Sequence, residues 1–131
     1  MRSVTALMNL SGRKALVTGG AGHIGLAVGE TLMELGASLA VLDVDAAGCK
    51  RRARELSARV RNGRAIAVPC DLRKEQATRR AVREAFRRLG GLEILIHCAA
   101  FVGTTRFPGW NVPFGEQAVE VQEQGGPRPQ E

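Results

Sequence analysis

Short apolar runs alternate with longer amphipathic segments through the first hundred residues, and this alternation constrains the fold most. The runs lack the polar alternation of a strand with one exposed face, so each is typical of a strand buried on both faces of a parallel sheet. They are residues 14–18 (KALVT), 38–43 (SLAVLD), 65–70 (AIAVPC) and 92–98 (LEILIHC).

Helical segments separate these predicted strands. Ile24, Val28 and Leu32 recur every four residues and line one face of the first helix. Two further helices are predicted over residues 46–61 and 74–89. Strands that alternate with helices predict an α/β fold, a doubly wound parallel sheet with right-handed crossovers and helices on both faces.

The chain of 131 residues carries a formal net charge of +6, and the positive excess is local. Between Lys50 and Arg88 there are 14 Lys and Arg residues against four acids. Nucleic-acid binding is one interpretation. However, no interleaved aromatic residues could stack on bases, so we expect two solvated helix faces and no nucleic-acid partner. No apolar run approaches the ~18 residues that span a bilayer, so no membrane partner is expected.

The three cysteines are widely separated in the sequence. Cys49, Cys70 and Cys98 form no CxxC pair and have no histidine at metal-ligand spacing. An odd number of thiols favours a reducing compartment over a disulfide framework. We therefore expect core cysteines, no metal site and a cytoplasmic protein.

The turn after the first predicted strand carries the most functional information. Gly19, Gly22 and Gly25 follow a strand and open a helix. Glycines let the backbone turn sharply and approach a phosphate group, while the helix N-terminus offers free N–H groups and the positive end of its dipole. This context predicts a Rossmann-like dinucleotide site. The alternative is a purely structural glycine turn.

An acid follows at the end of the second predicted strand. Asp43 comes 18 residues after Gly25, where a carboxylate accepts hydrogen bonds from an adenosine ribose. The same carboxylate would repel a 2′-phosphate, and the next residue is Val44 rather than Arg or Lys. We therefore expect NAD rather than NADP. The alternative is a surface acid at a strand end.

The two histidines have plain structural interpretations. His23 lies inside the glycine turn and could donate to a pyrophosphate, but a solvent-facing loop residue is the simpler interpretation. His97 falls within a predicted buried strand. We expect it to be a hydrogen-bonded structural residue, because a catalytic histidine would need an orienting acid and a nearby nucleophile.

Together these motifs resemble the short-chain dehydrogenase/reductase family. Residues 18–25 (TGGAGHIG) are similar to the family signature TGxxxGxG and closer to its variant TGxxGxxG, because His23 replaces a glycine of the first. Asp43 resembles the acid that selects NAD. Asp71-Leu72 looks like the pair whose acid and backbone contact the adenine ring. The match covers about residues 10–115.

Residues 97–100 (HCAA) stand where the family has Asn-Asn-Ala-Gly. The first of those Asn residues ties neighbouring strands together, a role that His97 fills in part and Cys98 poorly. The resemblance implies a single set of cofactor-binding residues. They are Thr18, Gly19, Gly22, His23, Ile24, Gly25, Asp43, Asp71, Leu72, Cys98, Ala99 and Ala100.

The family's catalytic residues have no counterpart in this sequence. In the family, a Tyr-x-x-x-Lys motif supplies the acid/base tyrosine, and a serine steadies the substrate oxygen. This sequence contains no tyrosine, and neither serine nor lysine follows Ala100. No catalytic residue can be assigned. The resemblance therefore implies the NAD-binding part of an alcohol or carbonyl oxidoreductase, inactive alone.

The sequence pattern changes near its end. Residues 1–115 are expected to form a partial NAD-binding domain, and residues 116–131, rich in Gln, Gly and Pro, a disordered tail. The change is the one that a premature stop or frameshift gives, so a non-functional truncated product is an alternative. A nucleotide-binding regulatory module is another. The resemblance implies the strand order 3-2-1-4, with the sheet ending after about four strands. A fourth strand left at the sheet edge predicts self-association.

Overall fold

The computed structural model describes residues 1–100, which form four strands and four helices. The strands are β1 (Lys14–Thr18), β2 (Ser38–Asp43), β3 (Ala65–Pro69) and β4 (Ile94–His97). The helices are α1 (Val4–Met8), α2 (His23–Glu34), α3 (Ala46–Arg59) and α4 (Glu75–Leu89). Residues 101–115 of the predicted domain and the tail predicted over residues 116–131 lie outside the described residues.

The four strands form one parallel sheet in the order β3-β2-β1-β4, which confirms the predicted topology. In the register of the sheet, Leu16 of β1 pairs with Ala40 of β2 on one side and Leu95 of β4 on the other. The carboxyl ends of parallel strands meet at one edge of a sheet. The turns that follow β1, β2, β3 and β4 are therefore brought to a common edge.

Helices cover the two faces of the sheet. On one face, α4 packs Ala85 and Leu89 against Leu16 and other residues of the first three strands. On the opposite face, α2 and α3 pack residues such as Leu56 against Val17 and the strands around it. Burial on both faces explains why β1 and β2 are continuous apolar runs.

Strand β4 is more exposed than the sequence predicted. Leu95 is 63% exposed, and His97 is exposed as well, so the expectation that His97 lies in a buried strand is wrong. The physical reason is the position of β4. Among the described strands it has one neighbour, β1, while α4 lies over β2 and β3.

The predicted element ends are correct to within about two residues. Helix α3 ends at Arg59 rather than residue 61, and α4 begins at Glu75. The helix ends at Leu89 as predicted, and Gly90 is its C-cap in the left-handed conformation, at φ +78°. The sequence did not indicate α1, whose N-cap Ser3 accepts a hydrogen bond from the Ala6 N–H at 3.1 Å. None of the helices within residues 1–100 is long and apolar enough to cross a membrane.

Candidate functional site

The turn after β1 begins at a position that only glycine fits well. Gly19 has φ +65°, in the left-handed region. A Cβ added there would lie 2.7 Å from the Ala99 nitrogen, because the end of β1 runs against the segment that follows β4. The first glycine of the motif thus closes the contact between two neighbouring strand ends.

Gly25 has a different steric role. It is buried in the first turn of α2, where an added Cβ would lie 2.5 Å from the Gly19 carbonyl oxygen and 2.6 Å from the Gly20 Cα. No side chain fits into that space without displacing backbone. The helix therefore begins tightly packed on the turn that precedes it, as the predicted motif requires.

Gly22 is the one glycine of the motif that packing within the chain does not explain. It is the exposed N-cap of α2, with φ −77°. An added Cβ would meet only the Gly19 carbonyl oxygen, at an ordinary 3.4 Å. The missing side chain leaves backbone uncovered at a helix N-terminus, where N–H groups lack partners within the helix. This arrangement leaves room for an anion to approach.

The Asp43 carboxylate joins the glycine turn to the start of α3. Its Oδ2 accepts a hydrogen bond from the Ala21 N–H at 3.2 Å, and its Oδ1 accepts one from the Asp45 N–H at 3.2 Å. Each carboxylate oxygen keeps further acceptor capacity, and the residue is half-buried. The predicted acid and the predicted turn are therefore in direct contact.

Thr18 ties the ends of β1 and β4 together. Its buried Oγ1 lies 2.6 Å from Nδ1 of His97 and accepts a hydrogen bond from the Ala99 N–H at 3.3 Å. The Cys98 N–H donates to the Thr18 carbonyl oxygen at 3.1 Å. His97 is thus hydrogen-bonded as predicted, and it links the two strands. Cys98 and Ala99 are half-buried behind this link, and Ala100 is exposed.

Asp71 and Leu72 follow β3, farther along the same edge of the sheet. The Cys70 N–H donates to the Asp43 carbonyl oxygen at 2.8 Å, which joins the end of β3 to the end of β2. Asp71 accepts from Nε and Nη2 of Arg73 at 3.0 and 2.9 Å. These bonds lower the pKa of the Asp71 carboxyl to about 2. The side chain of Leu72 turns to the core on the α4 face.

His23 and Ile24 occupy the first turn of α2. Both are exposed, and Ile24 is 72% exposed although it is a large apolar residue. His23 is therefore at the surface, as the simpler interpretation held. Within residues 1–100, no group of three or more His, Cys, Asp or Glu residues is arranged to hold a metal ion.

Sequence reasoning missed the part that Arg52 plays. Arg52 Nη2 donates to the Ala21 carbonyl oxygen at 3.0 Å, so α3 reaches the glycine turn. Gly48, one helical turn earlier, brings the two segments close, since its added Cβ would lie 3.3 Å from the Ala21 Cβ. In the sequence, an arginine one turn after a helix glycine is only a weak indication of a contact with the glycine turn. The contact can be recognised once the packing of α3 against that turn is known.

A comparison with known protein families agrees with this geometry. The sequence profile described as short chain dehydrogenase matches residues 13–124. The chain belongs to the short-chain dehydrogenase family. The glycine turn, Asp43 and the link between β1 and β4 all lie within the matched range.

Curated short-chain dehydrogenases are similar over part of their length. The 1-deoxy-11-beta-hydroxypentalenate dehydrogenase of Streptomyces exfoliatus is 37% identical over 106 residues, which cover 81% of this chain and 38% of that protein. The 2,3-dihydroxy-2,3-dihydro-p-cumate dehydrogenase of Pseudomonas putida is 41% identical over 91 residues, covering 69% of this chain and 34% of that protein. The chain thus spans between one third and two fifths of the length of these relatives.

Solved structures of the family share the fold. A short-chain type dehydrogenase/reductase from Mycobacterium ulcerans matches with a TM-score of 0.65 and 33% identity, covering 69% of this chain and 33% of that one. A 3-ketoacyl-(acyl-carrier-protein) reductase from Brucella melitensis, complexed with NADH, matches with a TM-score of 0.58 and 33% identity, covering 66% of this chain and 33% of that one. The predicted Rossmann-like α/β fold is confirmed.

Proposed function

We propose that this chain binds NAD at the carboxyl edge of its sheet, as the cofactor-binding part of a short-chain dehydrogenase acting on an alcohol or carbonyl group. One observation carries the proposal: the Asp43 carboxylate is hydrogen-bonded to the Ala21 N–H inside the glycine turn. The acid is thereby in direct contact with the turn that leads into α2. Two similar structures are described as NADH- and NAD+-bound, which supports this cofactor class.

The first turn of α2 would hold the pyrophosphate. The helix N-terminus supplies N–H groups without partners inside the helix, at His23, Ile24 and Gly25, together with the positive end of the helix dipole. Gly22 supports this assignment, because its exposed position has no packing reason to lack a side chain. A phosphate that approaches the Gly22 backbone closely would explain why this position has no side chain.

The two ends of the dinucleotide would contact different strand ends. Asp43, with acceptor capacity left on both oxygens, would bind the adenosine ribose. Asp71 and Leu72 would border the adenine. Residues at the ends of β1 and β4 would form the wall on the nicotinamide side. They are Thr18, Gly19, Cys98, Ala99 and Ala100.

Asp43 favours NAD over NADP. A 2′-phosphate bound at the ribose would bring a second negative group close to the carboxylate, and like charges at short range repel. The residue that follows is Val44, so the position where an NADP site often has a cation carries none. Arg52 could favour a 2′-phosphate if it faced the ribose. Its guanidinium is instead hydrogen-bonded to the Ala21 carbonyl oxygen and to Glu55.

The chain's own residues bind the cofactor and do not carry out proton transfer. A bound nicotinamide supplies hydride exchange with an alcohol or carbonyl carbon. The acid/base tyrosine that the family uses is missing, because the sequence contains no tyrosine. We therefore expect NAD binding without turnover by this chain alone. The same lack favours a nucleotide-binding regulatory module as the second candidate function.

Glycine variants test the proposed site. Gly22→Ala should weaken NADH binding by about tenfold, because the methyl group would stand where the phosphate approaches. It should lower the free energy of unfolding by less than ~1 kcal/mol, because glycine is a better N-cap than alanine but no clash arises. Calorimetric titration with NADH and urea unfolding measure the two effects.

Gly25→Ala is the contrasting variant. Its methyl group would meet backbone atoms, so we expect a loss of about 1–3 kcal/mol in the free energy of unfolding. If Gly22→Ala binds NADH as tightly as the unmodified chain, the N-terminus of α2 is not the phosphate site.

A further inference from the structure

The peptide groups around Ala21 are held from two sides. The Ala21 N–H donates to Asp43 at the end of β2, and the Ala21 carbonyl oxygen accepts from Arg52 of α3 at 3.0 Å. The next N–H, that of Gly22, donates to the Gly19 carbonyl oxygen at 3.2 Å. Two consecutive peptides are therefore fixed immediately before the helix whose N-terminus faces the proposed pyrophosphate.

Arg52 is well placed to hold this carbonyl group. Its side chain is only 16% exposed, so its hydrogen bonds are sheltered from competing water. Its Nη1 pairs with Glu55 at 2.6 Å, and Glu55 also pairs with Arg59, which reaches Glu30 of α2 at 3.0 Å. The guanidinium is thus anchored by its own helix while it reaches the turn.

The Arg52 Nε atom is buried and has no hydrogen-bond partner among the described residues. A guanidinium that leaves one donor unsatisfied in this way loses hydration without full compensation. The hydrogen bonds that the guanidinium makes among the described residues are those with Glu55 and with the Ala21 carbonyl oxygen.

We infer that Arg52 is a positioning residue for the phosphate-binding turn. By holding the Ala21 carbonyl oxygen, it sets the orientation of the peptide that leads into Gly22, and hence of the N–H groups that open α2. The role concerns the site of the proposed function and rests on NAD binding there.

The test compares Arg52→Met with Arg51→Met in the full chain. Methionine keeps much of the side-chain stem and removes the donors, and Arg51 is an exposed neighbour on the same helix. In Arg52→Met, we expect hydrogen exchange at the Ala21 and Gly22 amides to rise about tenfold in the ligand-free protein, and NADH affinity to fall about five- to tenfold. Arg51→Met should change neither.

Two further measurements separate positioning from a general loss of structure. Arg52→Lys keeps one charged donor and should restore part of the NADH affinity. Adenosine, which carries no phosphate, should bind Arg52→Met as well as it binds the unmodified chain. If Arg52→Met fails to fold, the NADH affinity of Arg52→Lys is compared directly with that of the unmodified chain, and it should be lower.

The two proposals can fail separately. If the unmodified chain binds NADH and Arg52→Met matches it in both affinity and amide exchange, the role of Arg52 is overturned and the proposed function stands. An unmodified chain that folds but binds no NADH overturns both.

Discussion

The three glycines of the turn after β1 differ in their steric surroundings. Gly19 adopts a left-handed conformation against the end of β4, and Gly25 lets α2 start in contact with the turn. Sequence spacing alone predicted all three as one motif. Only the distances show that Gly22 has room for a Cβ, which is why the proposed phosphate site can be tested there without disturbing the packing.

The contacts of arginine side chains could not be predicted from the sequence. Arg52 and Arg73 lie among 14 basic residues that the sequence presents as solvated helix faces. Arg52 binds Ala21 because α3 packs against the glycine turn. Arg73 binds Asp71 because the chain turns after β3. Long side chains have many rotamers. Helix periodicity therefore predicts the helix face on which an arginine lies, but not the group that its guanidinium binds.

Cys49 should react slowly with alkylating agents. Its Sγ lies 3.6 Å from the Asp43 carbonyl oxygen in the core. Burial first, and then the Asp43 charge, raises the pKa of the thiol from 9.0 to about 11. At pH 8, iodoacetamide should label the half-buried Cys98 ahead of Cys49, as mass spectrometry of the digested protein would show. Equal labelling rates would contradict the buried assignment.

The same pKa shift gives a pH dependence of stability. The unfolded chain ionises Cys49 more readily than the native one, so this thiol favours the native state fully below pH 9. That contribution is lost as the pH rises toward 11. Between these values, the free energy of unfolding of Cys49→Ala should fall less steeply than that of the unmodified chain.

At the scale of elements, burial decides what the sequence predicts well. Strands β1 and β2 begin and end at the predicted residues, because both faces of each are covered and their apolar runs are unbroken. Strand β4 is shorter than predicted, and its Leu95 face is exposed. Its sequence is equally apolar, but exposure depends on which strands and helices lie beside it.

An exposed apolar edge strand predicts self-association. Leu95 lies on β4, which has a single neighbour among the described strands. Leu95→Lys should shift the chain toward the monomer in sedimentation experiments at increasing protein concentration, because a charged side chain blunts edge pairing. Leu7→Lys, a change at a similarly exposed residue of α1, is the control. Unchanged association in Leu95→Lys would exclude β4 as the contact.

At the scale of the whole molecule, the sequence motifs predicted the family, the strand order and the residues at the carboxyl edge of the sheet. The link from Thr18 to His97 joins the ends of β1 and β4, and the bond from Ala21 to Asp43 joins the glycine turn to the end of β2. The chain spans 38% of the first curated relative and contains no tyrosine. The described residues include the glycine turn and the strand ends that the proposed dinucleotide site would use.

Titration of the full chain with NADH and with NADPH tests the central claim most directly. The account predicts that NADH binds about tenfold more tightly, because the Asp43 carboxylate accepts from the ribose and repels a 2′-phosphate. Asp43→Asn should remove this difference, while Glu75→Gln, a change at an exposed acid of α4, should keep it. Absence of NADH binding, or equal binding of the two dinucleotides by the unmodified chain, would contradict the account.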